Sequence, residues 1–400
     1  MLITCDRYPS PLQEGLVLRI YHYVRNLRER HEFDLLCFER TGQIRDATVE
    51  ELFGVVTRVP YPEVATQGLF EKVWATLDPD ELYVRSEDFR VAAKAAAAER
   101  RYDLIWDAGC NVLPNLTEVR SALPLLADQV DDAFLGIRRQ LALGGSLRRR
   151  ITLRKQLMLQ RQFARRHIAN ASAVLFVSEL DERSFLAACP GAPTVTIANG
   201  VDEVYFTPSG VEPAGFRGRP EVVFEGVMCF SPNVDAATYF VSEIFPLLKE
   251  RIRDVHCSLV GRDPSPTVWA LKGEDVEVTG FVEDVRPWLE GAHVFVCPMR
   301  SGAGIKNKIL QAWAMGKAVV STPEGAFGLP VEHGKNIMLC SSPAEFAEAA
   351  AILIREPSLR SALGAEARKT IESGYSWASK ARELECLMER IVVQHRRASR

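Results

Sequence analysis

The sequence predicts an α/β protein made of two doubly wound domains, and three observations predict it. Short apolar runs alternate with helix-like segments along the chain; this is the pattern of parallel strands covered on both faces. The alternation comes in two series, one before and one after residue 200. Between them lies "IANGVDEVYFTPSGVEPAGFRGRPEVVFEG", rich in Gly and Pro and without periodicity until Glu221. A chain of 400 residues is long enough for two or three domains. The expected division is 1–200 and 201–375, with a helical segment at 376–400 packing back on the first domain.

The first series opens with "LITC", a Pro-rich turn, the helical spacing of "LVLRIYHYVRNLRER", and "FDLLCF". "YDLIWD", "LPLLAD", "AVLFVS" and "TVTIAN" follow as strands. The second series has "EVVFEG", "VHCSLVG", "VEVTG", "HVFVCP" and "KAVVST". "SWASKARELECLMERIVVQHRR" closes the chain with a helical pattern after Gly374. Asp78-Pro79-Asp80 is an Asp-x-Asp pair, but the proline and the helical pattern behind it point to a turn or cap instead of a metal site.

Apolar residues make up 47% and charged residues 25%, and the net charge is −3, which excludes a nucleic-acid binder on overall charge. The nine cysteines have no C-x-x-C spacing, so neither a zinc site nor a redox pair is expected, and a reducing, cytoplasmic setting is. No run is long enough to span a bilayer. Charge is uneven, however: Ala133–Ser178 carries ten Lys or Arg and no Asp or Glu. Residues 138–167 therefore admit three readings: a solvated or partly packed face, peripheral contact with an anionic membrane, or a nucleic-acid patch. Phe163 is the one aromatic among the arginines of "SLRRRITLRKQLMLQRQFARRHIA", which counts against single-strand stacking.

The stretch "SGAGIKNKILQAWAMG" carries the most chemistry. It follows a buried strand pattern and reads as a glycine turn leading into a helix. Glycines let a ligand approach the backbone, and a helix amino end attracts phosphate. On a helical wheel Ile305, Ile309, Ala312, Trp313 and Gly316 form a packed stripe, with Gly304, Lys308 and Gln311 beside it and Lys306 roughly opposite Lys308. A diphosphate at the turn would meet Lys308, and Gln311 would meet a sugar hydroxyl one turn on.

At this point "PMRSGAGIKNKILQAWAMGKAVVSTPEGAFGL" resembles the donor segment of family 4 glycosyltransferases, the retaining GT-B class. It is closest to sugar transferases of bacterial exopolysaccharide clusters. The likeness extends through "YPSPLQEGLVLRIYHYVRNLRERHEFDLLCF", "LFVSELDERSF", "FEGVMCFSPNVDAATYFVSEIFPLL", "LVGRDPSP" and "VTGFVEDVRPWLEGAHVFVCPM". It implies two Rossmann-like domains facing a central cleft, and a nucleotide-diphosphate sugar as donor substrate. It also implies a hydroxyl acceptor, carbohydrate or lipid-linked, with no cofactor and no metal. By position, Gly302, Ala303, Gly304, Ile305, Lys306 and Lys308 would hold the diphosphate and Gln311 the ribose. Gly280, Phe281 and Val282 would meet the base. Gly226, Met228 and Asn233 match the first strand–helix turn of the second domain, and Gly15 the first-domain loop that approaches the donor. Arg19 and His22 follow on the helix after it. Asp131 matches an acid on the acceptor side, and Asp131, His22 and Lys308 are the catalytic candidates. Asp107 and Asp132 are further groups for orienting the acceptor.

Two departures mark this chain. Ala303 and Gln311 stand where the wider family has glutamates, and "VMCFSPNVDA" lacks the usual Arg and Lys. Arg262 or Arg300 is then expected to supply the second positive charge. The competing readings are a non-catalytic GT-B scaffold that binds nucleotide or a partner, a nucleotide-sugar epimerase, and a nucleic-acid-modifying glycosyltransferase.

Overall fold

The computed structural model describes residues 1–10, 15–40, 42, 45–62, 78–142, 144, 146–214, 218–302 and 304–398. The chain divides into two compact units. Unit 1 comprises Met1–Ala198 and Trp377–Arg400, and unit 2 comprises Asn199–Ser376.

Unit 1 is a seven-stranded sheet of β1 (Leu2–Cys5), β2 (Asp34–Glu39), β3 (Val56–Pro60), β4 (Ile105–Ala108), β5 (Leu125–Val130), β6 (Ala173–Phe176) and β7 (Thr194–Thr196). The order is β3-β2-β1-β4-β5-β6-β7, and every pairing is parallel. Successive side chains leave opposite faces. Ile3, Leu35, Cys37 and Trp106 enter one apolar layer, and Leu2, Leu36, Phe38 and Ile105 enter the other. The Trp377–Ala398 helix closes the first layer against the Gly15–Leu27 helix. Its Trp377, Ala381, Leu384, Met388 and Ile391 are buried at helical spacing, a single stripe facing the core.

Unit 2 is a six-stranded sheet of β8 (Glu221–Glu225), β9 (His256–Val260), β10 (Val276–Gly280), β11 (Val294–Cys297), β12 (Val319–Ser321) and β13 (Met338–Leu339). Its order is β10-β9-β8-β11-β12-β13, again parallel throughout. The strand order reverses between β8 and β11. In doubly wound sheets that reversal opens a crevice beyond the carboxyl ends of the two strands, where ligands bind.

Asp78 caps the helical turn Pro79–Leu82 by accepting from Asp80 N at 3.0 Å. The Asp80 carboxylate lies 2.7 Å from His167 Nε2. Both acids of the Asp-x-Asp pair thus serve the local fold, as a cap and as a histidine partner. No helix among the described residues is long and apolar enough to cross a membrane.

Candidate functional site

The site is built where β8 and β11 end. β8 runs out at Glu225 into Gly226, and β9 runs out into Gly261, which packs backbone to backbone on Gly226. A Cβ on Gly261 would lie 1.8 Å from Gly226 O, so only glycine fits there. A Cβ on Gly226 would lie 2.7 Å from both Asn233 Nδ2 and Lys308 Nζ. The absence of a side chain at Gly226 therefore lets two polar groups converge on the strand end.

Asn233 sits in the first turn of the Ser231–Tyr239 helix and donates from Nδ2 to Val227 O at 2.9 Å. That bond turns its Oδ1 toward Lys308, whose Nζ donates to it at 2.9 Å and to Glu225 O at 2.6 Å. The ammonium also lies 4.3 Å from the centre of the Phe224 ring, a cation–π contact. Lys308 is buried. Burial holds its pKa below the usual lysine value, and the Glu225 carboxylate pulls the other way. Burial likewise raises Glu225, with Lys308 opposing. An ammonium has three N–H groups, and two of them are committed to the protein.

The turn after β11 departs from the expected form. Gly302 and Gly304 adopt φ of 113° and 69°, left-handed values that a helix cannot include. The helix begins at Asn307 and runs to Ala314. Gly304, Ile305 and Lys306 thus belong to the turn, which corrects the helix start expected near Gly304. Lys306 occupies the N-cap position in an extended conformation, and no side chain caps the helix. Its ammonium folds back to donate to Gly304 O at 2.8 Å. A Cβ on Gly302 would lie 3.4 Å from that ammonium. Both lysines act electrostatically on Cys297 at the end of β11, where they oppose the burial that raises the thiol. Two cations, two left-handed glycines and an uncapped helix amino end therefore meet beside the end of one strand. Such a set favours an oxyanion.

The remaining donor-side candidates are distributed around this centre. Met228 is fully buried, and its N donates to Arg262 O at 2.9 Å, tying the loop after β8 to the loop after β9. Arg262 Nη1 donates to Asp263 at 3.2 Å. The Arg300 guanidinium is bidentate on the exposed Asp235, at 2.6 and 3.1 Å, and lies over the Tyr239 ring. Lys306 stands closer to the turn. Gly280 ends β10 with φ of 72°, Phe281 is exposed and Val282 is half-buried. Gln311 is half-buried and its side chain makes no hydrogen bond with the described residues. Ile305 is buried, and Ala303 lies outside the described residues.

In unit 1, Gly15 begins the Gly15–Leu27 helix. Arg19 on that helix is fully buried and pairs with Asp128 at 2.9 Å. The His22 ring is stacked flat on Trp377, 4.9 Å between centres, so it packs the returning helix. Asp132 accepts from Phe134 N and Leu135 N and caps the Ala133–Ala142 helix. Asp107 accepts from Thr4 Oγ1 at 2.5 Å, its Oδ2 is buried without a hydrogen bond, and burial pushes its carboxyl up to about 8. Asp131 is exposed just past β5. His31, Glu385 and Glu389 could in geometry share an ion, but Glu385 already pairs with His31 at 2.7 Å and Arg30 at 2.9 Å.

The structure brings Gly226, Asn233 and Lys308 together, and Gly302 with Lys306. Sequence reasoning passed over Glu225, whose carboxylate is the acid beside Lys308. Its one signal is an acid closing an apolar run directly before a glycine, in "VVFEG".

An uncharacterized glycosyltransferase of Methanocaldococcus jannaschii is 28% identical over 106 residues, which is 26% of this chain. The match spans only 27% of that relative's length. The crystal structure of Anabaena HepE in complex with UDP and glucose superposes with a TM-score of 0.70, covering 97% of this chain and 99% of that one at 17% identity. Sucrose-phosphate synthase from Thermosynechococcus elongatus gives 0.71, covering 98% and 100% at 16% identity. At these identities the likeness is one of fold: two Rossmann-like parallel-sheet domains, as in GT-B glycosyltransferases. Residues 219–356, which lie within unit 2 and hold the Gly226–Asn233–Lys308 cluster, match the family model described as Glycosyl transferases group 1, and this match supports a glycosyltransferase.

Proposed function

We propose that the protein transfers a glycosyl group from a nucleotide-diphosphate sugar to a hydroxyl acceptor. The transfer is of the family 4, retaining, metal-independent kind, and serves polysaccharide assembly. The observation that carries the reading is the convergence of Lys308 on Gly226 and Asn233 where the unit 2 strand order reverses. In this reading the third N–H of Lys308 takes an oxygen of the distal phosphate. The backbone from Gly302 to Asn307, with Lys306, takes the rest of the diphosphate. Gln311 accepts a ribose hydroxyl, and Gly280, Phe281 and Val282 border the base.

During transfer the bond between the anomeric carbon and the distal phosphate oxygen breaks, and its electron pair stays on that oxygen. The acceptor oxygen bonds the anomeric carbon on the face being vacated, and its proton passes to the departing phosphate. Charge therefore grows on the phosphate, and preorganised cations and amides stabilise it there. Lys306 and Lys308 supply the positive charge that a divalent cation supplies elsewhere. Asp131 is the candidate for orienting the acceptor hydroxyl.

A thermal-shift screen against UDP-, GDP-, ADP- and dTDP-sugars tests the reading, beginning with UDP-sugars because HepE binds UDP. A ligand at a hundred times its Kd adds about 2.7 kcal/mol to stability, so at least one donor is expected to raise the melting temperature. Flat responses to all four would contradict the proposal.

A further inference from the structure

The Leu147–Phe163 helix of unit 1 has two apolar faces, and only one is buried. Leu153, Leu159 and Phe163 are buried. Leu147, Ile151 and Met158 are 73%, 59% and 46% exposed. At 100° per residue these three fall within an arc of about 40°, a stripe roughly 16 Å long on the solvent side. Arg150 and Arg154 flank it on one edge, Arg148 and Lys155 on the other.

Single exposed apolar residues are ordinary on a protein surface. Three in register between two rows of cations are not. The partnering of the cations sharpens the contrast. Arg166, beyond the helix, pairs with Asp78 and Asp80, and Arg165 Nε donates to Ala188 O at 3.3 Å. Arg148, Arg149, Arg150, Arg154 and Lys155 form no ion pair with any described residue. Arg165 and Arg166 are exposed yet engaged by the protein, whereas Arg148, Arg149, Arg150 and Arg154 are exposed, and Lys155 half-buried, with no such partner.

We propose that this face is a docking surface for an anionic phospholipid membrane. The helix lies in the plane of the interface with Leu147, Ile151 and Met158 in the acyl boundary and the flanking cations among the headgroup phosphates. Apolar stripe and basic edges complement the two layers of such a surface, one apolar and one negative. A nucleic-acid backbone would complement the charge and leave the stripe in water. The surface lies in unit 1 and does not depend on the donor assignment in unit 2.

Flotation of the full chain with phosphatidylcholine vesicles, with and without phosphatidylglycerol, tests the proposal. The protein is expected to float with the anionic vesicles only, less so at high salt. Arg150→Gln and Arg154→Gln should each lower partitioning about five-fold, and the pair Ile151→Ser and Met158→Ser should abolish flotation. All four positions are exposed, so unchanged melting curves show that the fold is kept. Equal flotation on neutral vesicles, variants that float like the parent, or binding to duplex DNA in preference to anionic vesicles would overturn it.

Discussion

Lys308→Ala isolates the group on which the proposed donor site turns. The parent ammonium holds Glu225 O and Asn233 Oδ1 with two of its N–H groups, at 2.6 and 2.9 Å. The third remains for a phosphate oxygen, and that bond would be charge-assisted, worth about 1.5–3 kcal/mol. Removing it should raise the Kd for a nucleoside diphosphate roughly 10- to 150-fold. The fold feels the change too, because Glu225 O and Asn233 Oδ1 lose a partner and the Glu225 carboxylate loses its neighbouring cation. Relief of a buried ammonium offsets part of this, so a stability loss of about 1–3 kcal/mol is expected. Calorimetric titration with UDP at a temperature well below the variant's melting point separates the two effects. Lys335→Ala is the control: this lysine is exposed in the same unit, pairs with Glu332, and its loss should leave the affinity unchanged. An affinity for Lys308→Ala within two-fold of the parent, with the far-UV spectrum intact, would refute the reasoning.

Two further outcomes follow from the geometry. The Asp107 carboxyl holds its proton to about pH 8 in the fold because burial disfavours the charge, whereas its ordinary value is 3.8. Between those values the native state binds the extra proton, so stability should fall as pH rises, by up to about 1.4 kcal/mol per pH unit. Asp107→Asn should flatten that slope in urea titrations from acid to alkaline pH, and an unchanged slope would count against the assignment. Gly261→Ala drives a Cβ into Gly226 O and should cost about 4 kcal/mol or more, seen as a collapse of the melting transition; a parental melt would mean that the two loops do not pack as described.

Much of this fold can be read in the sequence because its strands are buried on both faces. "LITC", "AVLFVS", "HVFVCP" and "KAVVST" are nearly continuous apolar runs, and each is a strand. β3 and β13 escaped for the opposite reason. β3 is an edge strand that carries Arg58 and ends in Pro60, and β13 is only Met338–Leu339. The chemistry around Lys308 was legible as a glycine turn followed by lysines. The onset of the helix was not, since left-handed φ at Gly302 and Gly304 is decided by the turn and leaves no mark beyond the glycines themselves. A wheel that starts at Gly304 puts Lys306 opposite Lys308, whereas the real turn folds its ammonium back on Gly304 O. The Arg300–Asp235 pair was not legible because the two residues are 65 positions apart. Glu225 was overlooked because its role comes from burial beside Lys308, which no local pattern states.

The most direct test of the proposed donor site is a crystal structure of the protein with a bound nucleoside diphosphate. The account predicts the distal phosphate within hydrogen-bond reach of Lys308 Nζ, with the other phosphate on the backbone between Gly302 and Asn307. A nucleotide seated away from the ends of β8 and β11, with Lys308 still engaged only by Glu225 and Asn233, would contradict it.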